Sequence, residues 1–148
     1  MKPNNIRQLL TVVILLLVAS TSQAGSKDFG EYVVQWSVFP STFLTPEVAK
    51  ENDLNRSRGI GVVNIVIMSA AEDGGMDTVS GQVEGKVLNE VQQPTFLAFR
   101  RIQEGDAVYF IAEYQYSNAE LMTFEITARP TGGQSDLPVR FSHTLFNE

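Results

Sequence analysis

Hydrophobic and polar positions alternate with a period of two through most of the chain after residue 24. The apolar face of the first such segment holds Tyr32, Val34, Trp36 and Val38. This spacing is typical of half-buried β-strands, whose successive side chains point to opposite faces. Similar segments begin near residues 83, 94, 107, 122 and 137, with turn-forming residues between them. With one further segment at residues 60–68, the pattern predicts about seven strands.

Two segments depart from simple alternation. Residues 60–68 are almost continuously apolar and β-branched, which predicts a central strand buried on both faces. Thr45, Pro46 and Glu47 supply an N-cap, a proline at the first helical position and an acid in the first turn. They predict one short helix that ends near Asp53.

Many short antiparallel strands in one chain of this length favour two packed sheets. We therefore predict an all-β, immunoglobulin-like antiparallel β-sandwich of about seven strands with one short helix. A small β-barrel is the alternative. The chain has no cysteine, so its fold rests on a hydrophobic core rather than on disulfides, and thiol catalysis is excluded.

The N-terminus resembles a secretory signal peptide. Lys2 and Arg7 precede a short apolar run at residues 9–19, and Ser22-Gln23-Ala24 offers small residues for a signal peptidase. The run is about half as long as the roughly 20 residues of a membrane-spanning helix. We expect cleavage after Ala24, a single domain over residues 25–148 and a periplasmic location without membrane insertion. An uncleaved N-terminal anchor is the alternative.

The charge of the chain argues against nucleic acid as a partner. The sequence has 17 acidic and 11 basic residues, and residues 1–24 hold two of the basic ones and no acid. Residues 25–148 therefore carry nine basic residues and a formal net charge of −8. Such a surface is repelled by phosphate backbones, whose neutralisation drives nucleic-acid binding.

Little in the sequence indicates catalysis or a cofactor. His143 is the only histidine, and its place between Phe141 and Leu145 predicts a core residue. A Ser-His-Asp triad or a histidine metal site would have to use it. Asp73 and Asp77 lie in a glycine-bearing loop and are weak candidates for calcium binding, although a solvated turn explains them equally well. We expect no enzyme activity and no cofactor.

The candidate binding residues lie in and after the irregular apolar segment that follows the first strand. They are Ser41, Thr42, Phe43, Leu44, Arg56, Arg58 and Asn64. Phe43 and Leu44 lie outside regular alternation and predict an apolar surface. Arg56 and Arg58 are suited to an anion, although pairing with surface acids is the favoured interpretation. Asn64 interrupts the central strand, where a buried amide needs a hydrogen-bond partner or a place in a pocket.

Several motifs resemble one bacterial family. They are Phe29-Gly30-x-Tyr32, Ser41-Thr42-Phe43-Leu44-x-Pro46-Glu47, Gly61-x-x-Asn64-Ile65 and Glu104-Gly105-Asp106-Ala107-Val108-Tyr109-Phe110. The chain is similar in these motifs to domain of unknown function 4426, a family of small exported proteins of Gram-negative bacteria. The resemblance implies a β-rich periplasmic domain, with no assigned activity and no catalytic residues to transfer.

The sequence thus leaves two main functional hypotheses. The first is a non-enzymatic module that recognises a protein, peptide or envelope component through the segment from Ser41 to Leu44. The second is a carrier of a small molecule or metal ion, which would use an inter-sheet pocket near Asn64 or the loop at Asp73 and Asp77. A hydrolase that depends on His143 is the least favoured reading.

Overall fold

The computed structural model of the chain describes residues 23–147. These residues form ten β-strands, one α-helix and a single 3-10 turn at Ser41–Phe43. The helix, α1, spans Pro46–Glu51. The strands are β1 (Gln23–Asp28), β2 (Tyr32–Pro40), β3 (Ile60–Ala70), β4 (Met76–Thr78), β5 (Gly81–Leu88), β6 (Pro94–Leu97), β7 (Arg100–Glu104), β8 (Ala107–Gln115), β9 (Leu121–Pro130) and β10 (Leu137–Thr144).

The strands form two antiparallel sheets that pack face to face. Sheet one has the order β1-β2-β3-β8-β7, and β4 also pairs with β3. Sheet two has the order β10-β9-β5-β6. The predicted antiparallel β-sandwich is therefore confirmed. The alternative barrel is wrong, because residues 23–147 leave both sheets open.

The predicted number of strands was too low, because one predicted segment is two strands in different sheets. The chain from Pro94 to Ile102 leaves β6 in sheet two, breaks at residues 98–99 and continues as β7 in sheet one. Apolar alternation runs through the break, so the pattern gives no sign of it. The short strand β4 and the early strand β1 account for the other two additions.

The core lies between the sheets and contains a row of aromatic rings. Trp36 stacks on Phe141 with ring centroids 4.7 Å apart, and Phe141 stacks on Phe124 at 4.9 Å. Tyr114 meets Phe124 edge to face at 5.0 Å. Tyr114 lies against Gly61, where an added Cβ would be 2.5 Å from the phenol ring. Glycine at that position therefore makes room for the tyrosine.

The segment after β2 packs on the outer face of sheet one. The Oγ1 atom of Thr45 accepts a hydrogen bond from Val48 N, which confirms the predicted N-cap, and α1 ends two residues before Asp53. The backbone N–H and side-chain amide of Asn55 both donate to the Glu113 carboxylate. These contacts fix the loop after α1 to β8.

The predicted signal peptide lies almost entirely outside the described residues. β1 begins at Gln23, and Ala24 and Gly25 pair with Ser37 and Trp36 in β2. Cleavage after Ala24 would therefore leave four of the six residues of β1. Within residues 23–147, no helix has the length and hydropathy needed to cross a membrane.

Candidate functional site

A groove of about 220 Å³ lies at one end of the sandwich, beside the 3-10 turn and the C-terminal end of β10. It is lined by Pro40, Thr42, Phe43, Arg58, Tyr116, His143, Thr144, Leu145, Phe146 and Asn147. Three of the predicted binding residues, Thr42, Phe43 and Arg58, therefore meet in one place. The phenyl rings of Phe43 and Phe146 are 36% and 57% exposed, so the groove has apolar side chains open to solvent.

The 3-10 turn is fixed to the loop after α1 by Ser41. The Ser41 hydroxyl accepts a hydrogen bond from Ser57 N and donates one to Ser57 O, each 2.9 Å long. Ser41 is fully buried, which corrects its predicted place in a recognition surface. Its contribution is to hold Thr42 and Phe43 next to the segment that carries Arg58.

Arg56 is also used inside the fold. Its Nε donates to the carbonyl oxygen of Leu44 at 2.7 Å, and one terminal nitrogen donates to the carbonyl of Thr42 at 3.4 Å. The guanidinium thus satisfies backbone acceptors of the turn. This corrects the prediction of an anion-binding arginine pair and also the favoured alternative, a surface acid as the partner of Arg56. Leu44 is half-buried and is not among the groove-lining residues.

Arg58 differs from Arg56. It lines the groove, is exposed, and has no hydrogen-bond or ion-pair partner among residues 23–147. An arginine fork can bind a carboxylate through two parallel hydrogen bonds. The groove therefore combines apolar rings with one guanidinium whose donors are available to a ligand.

Two buried residues with polar side chains form the inner wall of the groove. Tyr116 is 7% exposed, and its hydroxyl has no hydrogen-bond partner in the described part of the chain. Burial raises the pKa of Tyr116, so its hydroxyl stays protonated and is a potential donor. His143 is 4% exposed and opposite Met122 in β9, which confirms its prediction as a core residue. Burial lowers the pKa of its imidazole.

Asn64 lies away from the groove. It pairs with Ser37 and Ile111 in sheet one, and it alternates with the core residues Val63 and Ile65. Its side chain is therefore on the outer face of the sheet, which corrects the predicted inter-sheet pocket. The Oδ1 atom of Asn64 has no hydrogen-bond partner within residues 23–147, so the expected tie to a neighbouring element is also missing there.

The outer face of sheet two has a wider concavity that contains a row of charged side chains. Arg140, Glu125 and Lys86 are neighbours across three strands, and the central carboxylate is 3.6 Å from both cations. The two cations share one carboxylate, so this row keeps a net positive charge. Phe96, next in this row, is 83% exposed on the edge strand β6.

The acidic loop also closes on itself. The Asp73 carboxylate accepts a hydrogen bond from Gly75 N at 2.9 Å, and Asp77 is exposed on β4. No set of three or more histidine, cysteine, aspartate or glutamate side chains in the described ranges is arranged to hold a metal ion. Calcium binding by this loop stays a prediction without further support.

The predicted binding residues did not include Tyr116, Phe146 or Asn147, which also line the groove. Leu145 and Phe146 directly follow β10, and its alternation continued past Thr144 places Phe146 on the face opposite the buried Leu145. That signal was present in the sequence. Nothing local to residues 143–147 indicates that they meet Phe43, which is about a hundred positions earlier in the chain.

Comparisons with known proteins agree on the family. Residues 26–148 match the family described as Domain of unknown function (DUF4426). The crystal structure of a DUF4426 family protein from Pseudomonas aeruginosa PAO1 is 30% identical in sequence, with a TM-score of 0.73. The match covers 84% of this chain and 96% of that one.

A second solved structure is similar in fold alone. FetP of uropathogenic Escherichia coli strain F11, recombinantly expressed in the periplasm of Escherichia coli, superposes with a TM-score of 0.63 at 8% identity. That match covers 88% of this chain and 99% of FetP. No curated protein sequence matches the chain significantly. The family match over residues 26–148 and the 30% identical structure show that the chain belongs to the DUF4426 family.

Proposed function

We propose that this protein is a non-enzymatic binding module that recognises a peptide segment of a periplasmic or envelope protein. The recognition surface is the groove between Phe43 and Phe146. The observation that carries the proposal is the meeting, in one concavity, of two exposed phenylalanines and Arg58, whose guanidinium has no partner among the described residues. Exposed aromatic side chains with a nearby arginine are typical of protein-recognition sites.

The size of the groove favours a side chain over a cofactor or a drug-sized metabolite. Ligand pockets for such molecules enclose about 300–1,000 Å³, whereas this groove encloses about 220 Å³. One large apolar side chain with its flanking backbone fits that space. For the small-molecule carrier hypothesis, Asn64 lines a concavity of about 590 Å³ on the outer face of sheet one rather than an inter-sheet pocket, and the Asp73 carboxylate is engaged by Gly75 N.

The absence of enzymatic activity in this proposal rests on the surroundings of His143. A general base must reach a substrate proton within about 3 Å, and His143, although it lies in the wall of the groove, is only 4% exposed. Burial lowers its pKa and keeps it neutral near pH 7. In the fold, His143 is buried opposite Met122 in the pair of strands β9 and β10.

The periplasmic location is part of the same proposal. It is supported by the basic start, short apolar run and small residues of positions 1–24, and by the similar fold of FetP, which was expressed in the periplasm. Mass spectrometry of the protein recovered from the periplasm should give a mature N-terminus at Gly25. A full-length species confined to the cytoplasm would contradict this location.

Affinity capture from envelope extract tests the recognition surface. Wild-type protein is compared with Phe43→Asp, which places a charge in the groove, and with Phe96→Asp as the matched control. Phe96 is more exposed than Phe43 and lies outside the groove. We expect Phe43→Asp to lose specific partners that Phe96→Asp retains. Identical partner sets for all three proteins would exclude the groove.

A further inference from the structure

We infer that the groove binds an apolar residue bearing a free carboxylate, as at the C-terminus of a protein chain. This inference rests on the proposed function and specifies the chemistry of the ligand. Its two parts are a guanidinium available to a carboxylate and an apolar space of the size of one large side chain. Each part can be tested separately from the question of whether the groove binds a protein.

The first part is the contrast between Arg58 and the other arginines. Arg56, Arg100, Arg101, Arg129 and Arg140 each have a hydrogen-bond or ion-pair partner within residues 23–147. Arg58 has none there, although the protein carries an excess of acidic residues. A carboxylate is the ligand group that best matches its planar set of donors.

The second part is the position of Arg58 beside apolar side chains. Phe43, Leu145 and Phe146 line the same groove, so a ligand that reaches the guanidinium also contacts these side chains. A side chain of Asp or Glu would bring a carboxylate without apolar area. The C-terminal residue of a chain carries a carboxylate and an apolar side chain on the same Cα atom, which suits a space of about 220 Å³.

Tyr116 adds an independent observation. Tyr116 lines the groove, its hydroxyl is buried, and no group in residues 23–147 pairs with that hydroxyl. Unsatisfied buried polar groups are rare in folded proteins and call for a physical explanation. A carboxylate oxygen held by Arg58 is an acceptor for this donor if ligand binding exposes the Tyr116 hydroxyl.

The test uses two probes that differ in one group. ¹⁵N-labelled protein is titrated with N-acetyl-L-phenylalanine and with its primary amide, and backbone chemical shifts report where each one binds. Because Arg58 is exposed, pairing with its guanidinium predicts that the acid binds about twofold to fivefold more tightly than the amide. The shifts should be confined to residues around Phe43, Arg58 and Phe146.

Two variants identify the groups that recognise the acid. Arg58→Gln should abolish the difference between acid and amide, whereas Arg101→Gln makes the same charge change beside Ser80, outside the groove. Tyr116→Phe should weaken binding of the acid selectively without lowering the thermal midpoint, because it removes a buried hydroxyl that has no partner within residues 23–147.

The outcomes separate this inference from the proposed function. Acid-selective binding that depends on Arg58 supports the carboxylate inference and the proposed recognition function. Equal binding of acid and amide in the groove overturns the carboxylate inference and leaves the groove as a recognition surface. No binding of either probe up to its solubility limit also overturns the inference, and the Phe43→Asp capture experiment then decides the proposed function on its own.

Discussion

Replacing Ser41 with alanine tests how the groove is held in place. The substitution removes both hydrogen bonds between the Ser41 hydroxyl and the backbone of Ser57, each 2.9 Å long. The backbone N–H and carbonyl of Ser57 then lose the Ser41 hydroxyl as their hydrogen-bond partner. The bridge joins the turn that carries Phe43 to the loop that carries Arg58, so its loss affects the candidate site as well as the stability of the fold.

The expected cost follows from the number of bonds. Each hydrogen bond contributes about 0.5–1.5 kcal/mol net, so Ser41→Ala should lower the free energy of unfolding by about 1–3 kcal/mol. For a domain of this size 1 kcal/mol corresponds to about 4 °C, and the thermal midpoint should therefore fall by about 4–12 °C. Ser26 is exposed on β1, and Ser26→Ala is the matched control, with an expected change within about 0.5 kcal/mol.

Thermal unfolding by circular dichroism measures the midpoint, and amide hydrogen exchange measures protection at Ser57. We expect Ser41→Ala to lose protection at the Ser57 N–H while amides in β3 and β9 keep theirs. A midpoint equal to that of Ser26→Ala, with Ser57 still protected, would refute the argument that the Ser41 hydroxyl joins the two segments.

Two further predictions concern the core next to the groove. Gly61→Ala should lower the free energy of unfolding, measured by chemical denaturation, by about 1–3 kcal/mol, because the added Cβ would be 2.5 Å from the Tyr114 ring. Gly59→Ala is the control and should cost less, because its Cβ would be 3.9 Å from the nearest neighbouring atom. Equal losses of stability in the two variants would contradict this account. Burial lowers the pKa of His143 in the folded protein. The unfolded chain therefore binds more protons than the folded protein as the pH falls below about 6.5, and the stability contributed by the neutral imidazole is lost over that range. Denaturant unfolding of wild type and His143→Gln between pH 7.5 and 5 should show the steeper decrease in wild type, by at most about 1.4 kcal/mol per pH unit, and parallel curves would contradict a lowered pKa.

Features governed by local sequence were predictable. The N-cap at Thr45 needs only the residues up to Val48, and the inward face of β2 follows from the alternation of Val34, Trp36 and Val38. The burial of His143 follows from its apolar neighbours at positions 141 and 145. In each case the structure is determined by residues a few positions apart, whose periodicity the sequence displays directly.

Features governed by distant contacts were not predictable. Ser41 and Arg56 look like surface polar residues in the sequence, but their partners are backbone groups 16 and 12 positions away along the chain. The change of sheet between β6 and β7 depends on which strands remain unpaired elsewhere. The groove joins Phe43 with Phe146 through the packing of β10 beside the end of β2, which no pattern within either segment encodes.

Site-specific photo-crosslinking in living cells tests the recognition surface most directly. A photoreactive phenylalanine analogue is placed at position 43 in the groove or at position 96 on β6, and irradiated cells are analysed for covalent products. The account predicts a discrete crosslinked species from position 43 that is absent from position 96. No product from position 43, or the same products from both positions, would contradict a recognition surface between Phe43 and Phe146.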